Sequence, residues 1–276
     1  MTLNLPQLIY DQMLASDEKH EWKQHWYPSG IGAECTNDKG EQEHIGKCRR
    51  ALYFDLTHTE KTNPMDAPAL FKCNVGDLIH DYLDKLLTTQ LVKEGYELQN
   101  IDGSEIPIAW TPEGCEFEFS GRMDYLFKRP DGKYVAVEWK STYGRGFDMI
   151  KKNGAKIENL LQCCCYLNQD VYPLEEILLL YAGRDNGYII GFAVSKCEQG
   201  LKLERMGTDE VTFCPLKFED IIKSCQIVEK CVKEQILPKR DYTEKNWQCS
   251  YCSYHDHCNK LQAEIDATQI VDEGQV

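Results

Sequence analysis

A chain of 276 residues, 42% hydrophobic and 28% charged, has material for one large domain or two small ones and the composition of an ordinary globular protein. No apolar run reaches the roughly 20 residues of a membrane span, and the opening MTLNLPQLIYDQML lacks the basic region and apolar core of an export signal. A formal charge of −14 argues against a protein that coats nucleic acid through a broad basic surface. Fourteen cysteines, three of them consecutive (Cys163, Cys164, Cys165), therefore read as reduced cytoplasmic thiols plus a metal site, not as a disulfide framework.

Residues 28–46 are polar and Gly-rich and predict a loop or insertion. A short helix is expected over 47–56. A longer one over 67–92 follows from Phe71, Val75, Leu78, Ile79, Tyr82, Leu83, Leu86 and Leu87 at helical spacing. Strands are expected near 95–101, 115–129 and 133–141, a helix near 156–169, strands at 175–184 and 188–194, and a helix near 216–236. A cysteine-rich segment and an acidic tail from Glu264 complete the chain. This order predicts a mixed α/β core with outer helices. Basic residues gather at Lys47, Arg49 and Arg50 and again at Arg145, Lys151, Lys152 and Lys156; by charge alone each group reads as a solvated face.

The most informative stretch is residues 121–140. Pro130-Asp131-Gly132 suits a type I turn closed by a left-handed glycine, so Arg129 faces Lys133 and cross-strand partners sum to 262. Asp124 then falls opposite Glu138 with Cβ atoms about 5 Å apart. Lys140 shares their face because strand side chains alternate. Met123, Tyr125, Phe127, Val135, Val137 and Trp139 form an apolar opposite face. Like charges placed opposite one another destabilise a sheet. A hard divalent cation such as Mg²⁺ or Mn²⁺ would relieve that conflict, with Lys140 orienting water or stabilising charge on a phosphate.

His80 lies on the long helix, on a flank shared with Asp77, Asp81 and Asp84, and Gln162 and Tyr166 share a later helix face. In isolation each of these is an ordinary structural residue. Near the end, Cys249, Cys252 and Cys258 follow a C-x2-C-x5-C spacing that can wrap one metal centre but wants a fourth ligand. His255 or His257 would complete a zinc site; Cys48 is another choice, with Cys35 its rival.

Taken in order, His80, Gly121-Arg122-Met123-Asp124, Glu138-Trp139-Lys140 and Gln162-Cys163-Cys164-Cys165-Tyr166 resemble the RecB-type nucleases of the PD-(D/E)XK superfamily. The resemblance implies a restriction-endonuclease-like mixed sheet flanked by helices. It implies metal binding by His80, Asp124 and Glu138, catalytic assistance by Lys140, and support of DNA or the site by Gln162 and Tyr166. One early and three late cysteines around such a core resemble the CRISPR-associated and phage-encoded iron–sulfur exonucleases, implying a structural 4Fe–4S cluster on Cys48, Cys249, Cys252 and Cys258. On this reading residues 1–66 carry the first cluster cysteine, 67–200 the nuclease core, 201–262 the C-terminal helix and cysteine segment, and 263–276 the acidic tail. The expected partner is DNA with single-stranded ends, cut 5′ to 3′. The expected setting is the cytoplasm of a prokaryotic or phage-infected cell, with recombination, repair or CRISPR-adaptation proteins as further partners and no membrane. An endonuclease or flap nuclease, or a silent DNA-binding protein with a zinc site, is the alternative.

Overall fold

Pro130, Asp131 and Gly132 set the turn from which the sheet can be counted. In the computed structural model, which describes residues 4–16, 22–36, 39–101 and 104–273, Gly132 adopts φ 86° and donates its amide to Arg129 O at 2.9 Å. Arg129 in turn donates to Lys133 O at 2.8 Å. The strands that follow pair Tyr125 with Val137 and Phe127 with Val135, the expected register.

The elements run α1 (Leu5–Ser16), a 3-10 turn (Pro28–Gly30), β1 (Gly32–Thr36), β2 (Gln42–Gly46), α2 (Arg49–Leu56) and α3 (Ala67–Lys93). Strands β3 (Glu97–Leu98), β4 (Ile106–Trp110), β5 (Phe119–Met123), β6 (Tyr125–Lys128) and β7 (Tyr134–Thr142) come next, then α4 (Arg145–Asn153) and α5 (Ile157–Leu167). The chain continues through β8 (Leu174–Gly183), β9 (Ile189–Cys197), β10 (Gly200–Arg205) and β11 (Val211–Cys214) to α6 (Phe218–Glu234), α7 (Trp247–Ser250) and α8 (His255–Glu273).

One seven-stranded sheet, ordered β11-β10-β9-β8-β7-β6-β3, dominates. β7 and β8 are parallel, joined by the α4–α5 crossover, and the other neighbours are antiparallel. Central strands of this kind are covered on both faces. Ile79, Leu83, Leu87 and Leu91 of α3 pack on Phe127, Val137 and Trp139. On the other face Leu126 and Ala136 join the main core with Leu160, Leu161 and the three consecutive cysteines of α5. The fold is thus mixed α/β with flanking helices, as the element order predicts. Among the described residues no helix is long and apolar enough to cross a membrane.

Several expectations need correction. Residues 28–46 are not an unstructured loop: they form the 3-10 turn and the β1–β2 hairpin. The predicted α3 stripe divides into two rows, because Phe71, Leu78, Tyr82 and Leu86 face outward while the row through Ile79 faces the sheet. Segments α1, β4, α4, β10, β11 and α8 are additional elements. The carboxylate face of the hairpin is itself buried, so neither face is free surface.

At Met123 the chain leaves the large sheet, and β5 pairs with β4 instead. Asn100 bridges the break: its Nδ2 donates to Asp124 O and Ser104 O, both at 2.8 Å, and its Oδ1 accepts the Leu126 amide at 3.0 Å. Each polar group left buried and unpaired costs about 1 to 3 kcal/mol. Asn100→Ala should therefore lower unfolding free energy by at least about 2 kcal/mol, measured by urea denaturation; a loss below a few tenths would show the bridge to be incidental.

Candidate active site and cysteine cavity

The bend that ejects β5 also creates the site. By the hairpin register the Trp139 amide points toward Met123, whose strand has turned away. Asp124 Oδ2 accepts that amide at 2.7 Å. Its carboxylate thus stands in for the missing main-chain acceptor, and Asp124 is not a ladder partner of Glu138 as the unbroken register implies. The two acids still meet electrostatically. Burial, then the charge of Glu138, pushes the Asp124 carboxyl well above its usual range.

Glu138 is 3% exposed in the middle of β7. Lys140 Nζ donates to its Oε1 at 2.5 Å and Gln162 Nε2 to the same oxygen at 2.9 Å. Burial raises the Glu138 carboxyl despite these contacts. Burial alone would lower the Lys140 ammonium, but Glu138 and Asp124 reverse that and raise it on balance. Tyr166, one turn after Gln162 on α5, donates its hydroxyl to Arg122 O at 2.8 Å. It reaches that carbonyl across Gly121, where a Cβ would lie 2.9 Å from the tyrosine oxygen. The glycine of Gly121-x-x-Asp124 is therefore a clearance for Tyr166.

His80 comes from α3, on the opposite side of the sheet from α5. Burial, then the nearby Lys140 ammonium, lowers its imidazole below the usual range, with Asp77 acting in the other direction. No hydrogen bond or ion pair joins His80 to either carboxylate, and its Nε2 is buried without a partner. Glu138 Oε2 is likewise buried and unpartnered. Two further acids bear on the site: Asp84, noted in the sequence only as a neighbour of His80, and Glu105, which the sequence analysis missed. Asp84, one turn beyond His80, is pushed by burial to about 6 beside Tyr125 and Trp139. Glu105, paired with Arg122 at 3.6 Å, acts on both Asp124 and Glu138. The 80/84 spacing is visible in sequence, whereas nothing in a linear reading brings Glu105 to the hairpin.

The cysteines converge elsewhere. Cys48, Cys249, Cys252 and Cys258 all line one cavity of about 340 Å³, and Cys35 does not. Cys35 packs against the main core, its thiol pushed up to about 12 by burial and then by Asp220. Arg240 Nε and Arg50 Nη1 donate to Cys258 Sγ at 3.2 and 3.7 Å. His255, the ligand of the zinc alternative, also lines the cavity, its nitrogens engaging Asp256 and Asn259. His257 packs edge-on against Phe54. Among the described residues no group of three or more His, Cys, Asp or Glu side chains is gathered for a single ion. Four thiols around a cavity of this size, with guanidinium donors on one sulfur, form a donor set that fits a multi-atom iron–sulfur group. The orphaned Glu138 Oε2, near the Asp124 carboxylate, is a donor of the kind a hard divalent cation takes, and no contact brings His80 to that oxygen.

Because the Asp124 pKa is raised on folding, its ionised form costs stability once pH passes the ordinary carboxylate value of about 4. Asp124→Asn keeps an acceptor for Trp139. Without divalent ions it should raise Tm at pH 7, and the gain should fade as pH falls toward about 4. Added Mn²⁺ should stabilise the wild type and not the variant. Scanning calorimetry decides this, and a lower Tm for the variant at pH 7 would refute the electrostatic account.

No family model matches the chain, and no curated protein matches it. Among solved structures, one described as "Crystal structure of SSO0001" aligns with a TM-score of 0.48 and 16% identity, covering 91% of this chain and 93% of that one.

Proposed function

We propose that this protein is a Mg²⁺- or Mn²⁺-dependent deoxyribonuclease of the RecB-type PD-(D/E)XK fold. On this reading it is an exonuclease on single-stranded DNA ends, working in cytoplasmic DNA recombination, repair or CRISPR adaptation, and it carries a structural 4Fe–4S cluster. The observation that carries the reading is the buried convergence of Asp124, Glu138, Lys140 and Gln162, where two carboxylates face one lysine and Glu138 Oε2 has no partner. Burying an unpaired carboxylate oxygen is costly unless something cationic binds it. The strand polarity, 5′ to 3′, rests on the family resemblance.

Asp124 and Glu138 would hold the cation, with His80 supplying nitrogen. The cation would polarise the scissile phosphate and make water more acidic. The chain's own residues do the rest. Gln162 and Lys140 fix Glu138 Oε1 and leave Oε2 without a partner, so that this oxygen would be the one to hold the ion. The Lys140 ammonium, partly open to solvent, can also donate to a non-bridging phosphate oxygen as negative charge accumulates there. Water forms the new P–O bond in line with the bond that breaks, and the departing sugar oxygen takes up a proton.

Asp124→Ala and Glu138→Ala should each abolish Mn²⁺-dependent release of nucleotides from an end-labelled single strand. Lys140→Ala should lower the rate at least 100-fold while metal affinity, read by calorimetry, stays within a few-fold. His80→Ala should weaken activation by Mn²⁺ more than by Mg²⁺. Wild-type rates in either carboxylate variant would overturn the assignment.

Anaerobically purified protein should be brown, with iron bound. Cys48→Ser, Cys249→Ser, Cys252→Ser and Cys258→Ser should each lose iron and stability together, because metal binding is linked to folding. Cys35→Ser and Cys164→Ser should keep the colour. Colourless protein with stoichiometric zinc would select the alternative centre with His255.

A further inference from the structure

The seven basic residues conspicuous in the sequence do not behave alike. Lys47 pairs with Asp55, Arg49 with Asp241 and Glu34, and Arg50 donates to Pro238 O, Gln262 and Cys258. These three fasten the cysteine region. Arg145, Lys151, Lys152 and Lys156 are exposed and, among the described residues, have no hydrogen-bond or ion-pair partner for their side chains.

These four occupy α4 and its link to α5, directly after the strand that carries Glu138 and Lys140. Tyr143, 53% exposed, follows Lys140 by three residues, about 10 Å along the strand. Phe147 and Ile150 anchor α4 to the core. That leaves Arg145, Met149 and Lys152, spaced i, i+4, i+7, on one outward row. At the far end the Lys156 amide hydrogen-bonds the Tyr181 hydroxyl at 3.1 Å. Tyr181 is the register partner of Lys140 on β8. The segment therefore leaves the site at Tyr143 and is fastened again beside it at Lys156.

A structural account covers only half of the charges. Lys151 and Lys152 complement the C-terminal end of the α4 dipole, but Arg145 opens α4 and Lys156 is the N-cap of α5, where the dipole disfavours cations. Asp148 is the sole acid within α4. With Glu158 in the first turn of α5 as the next acid, four unpaired cations still leave a local basic excess in a chain of net charge −14, the kind of surface a polyanion would neutralise.

We propose that Arg145, Lys151, Lys152 and Lys156 bind the phosphates of a single DNA strand and lead it to the Glu138–Lys140 site, with Tyr143 stacking on a base. The proposal rests on the nuclease reading for its substrate class. Cations combined with an exposed ring are the means by which unpaired strands are held without regard to sequence.

The test is fluorescence anisotropy of the 276-residue protein, purified anaerobically, with labelled oligo(dT), divalent ions withheld, between about 50 and 200 mM salt. Each lost phosphate contact on a single strand reduces the slope of log Kd against log salt by about 0.7. The triple variant Arg145→Gln/Lys151→Gln/Lys152→Gln should thus lose about two units of slope. Tyr143→Ala should weaken binding several-fold at unchanged slope. A control with the same charge change outside the segment, Lys196→Gln/Lys223→Gln/Lys230→Gln, should keep the wild-type slope. An unchanged slope in the first triple variant, an equal loss in the control, or no binding by the wild type would overturn the proposal. Cleavage assays separate it from the reading beneath it. Binding through this segment without cleavage in Mn²⁺ would leave the track and remove the nuclease; cleavage with an unchanged KM in the triple variant would do the reverse.

Discussion

Burial of the Glu138 carboxylate is the constraint around which the site is built. A carboxylate in the middle of a strand covered on both faces loses its hydration, and several kcal/mol are at stake unless charge and hydrogen bonds replace it. Lys140 and Gln162 supply that replacement for one oxygen only. Gln162 can do so because α5 packs on the sheet at β8, the neighbour of β7, and is tied to β5 through Tyr166, whose hydroxyl spans to Arg122 O over Gly121, where a Cβ would crowd the tyrosine ring. Residues that look like separate motifs in the sequence are thus successive links of one support, and loosening any of them changes how far Glu138 is from water.

Helix α5 joins this support to the cysteine cavity. Glu158 lines the cavity, and Gln162, one turn on, reaches Glu138. The 3-10 turn does the same from the other side: Ser29 and Gly30 border the cavity, while Pro28 packs where a Cβ on Gly121 would lie. A centre linking Cys48 to Cys249–Cys258 would close a loop of some two hundred residues, a closure that removes much chain entropy from the unfolded state. Its structural benefit would fall first on the elements bordering the cavity, which are also those that position Gln162.

The sequence makes the hairpin register legible because turn chemistry is local: Pro130-Asp131-Gly132 fixes the pairing without reference to the rest of the fold. The same locality misplaces Asp124. An unbroken register sets it across from Glu138, but β5 turns away to pair with β4, and a short strand such as Ile106–Trp110 leaves only five residues of alternation as its signal. Asn100 and Glu105 act through that tertiary event and are silent beforehand. The α3 stripe shows a related limit. Helical periodicity finds the apolar residues, but only the sheet decides that the row through Ile79 is buried while Phe71, Leu78 and Tyr82 face out. Cys48 and Cys35 are equivalent as letters, and burial against the main core separates them.

Net charge is equally uninformative until partners are assigned. Arg49 and Arg50 lie in one of the two basic groups and are as cationic as Lys151 and Lys152, yet they are enclosed by Asp241, Glu34 and the carbonyl of Pro238. In that setting each guanidinium satisfies buried acceptors between the first and last parts of the chain and contributes almost nothing to the outer field. A charge acts at a distance only where neighbours and desolvation have not already consumed it. An acidic protein can therefore keep a local basic surface while its total charge stays strongly negative. The field that a polyanion would meet is set by which lysines and arginines the fold leaves unpaired, among them Arg145, Lys151, Lys152 and Lys156 on the segment between β7 and α5.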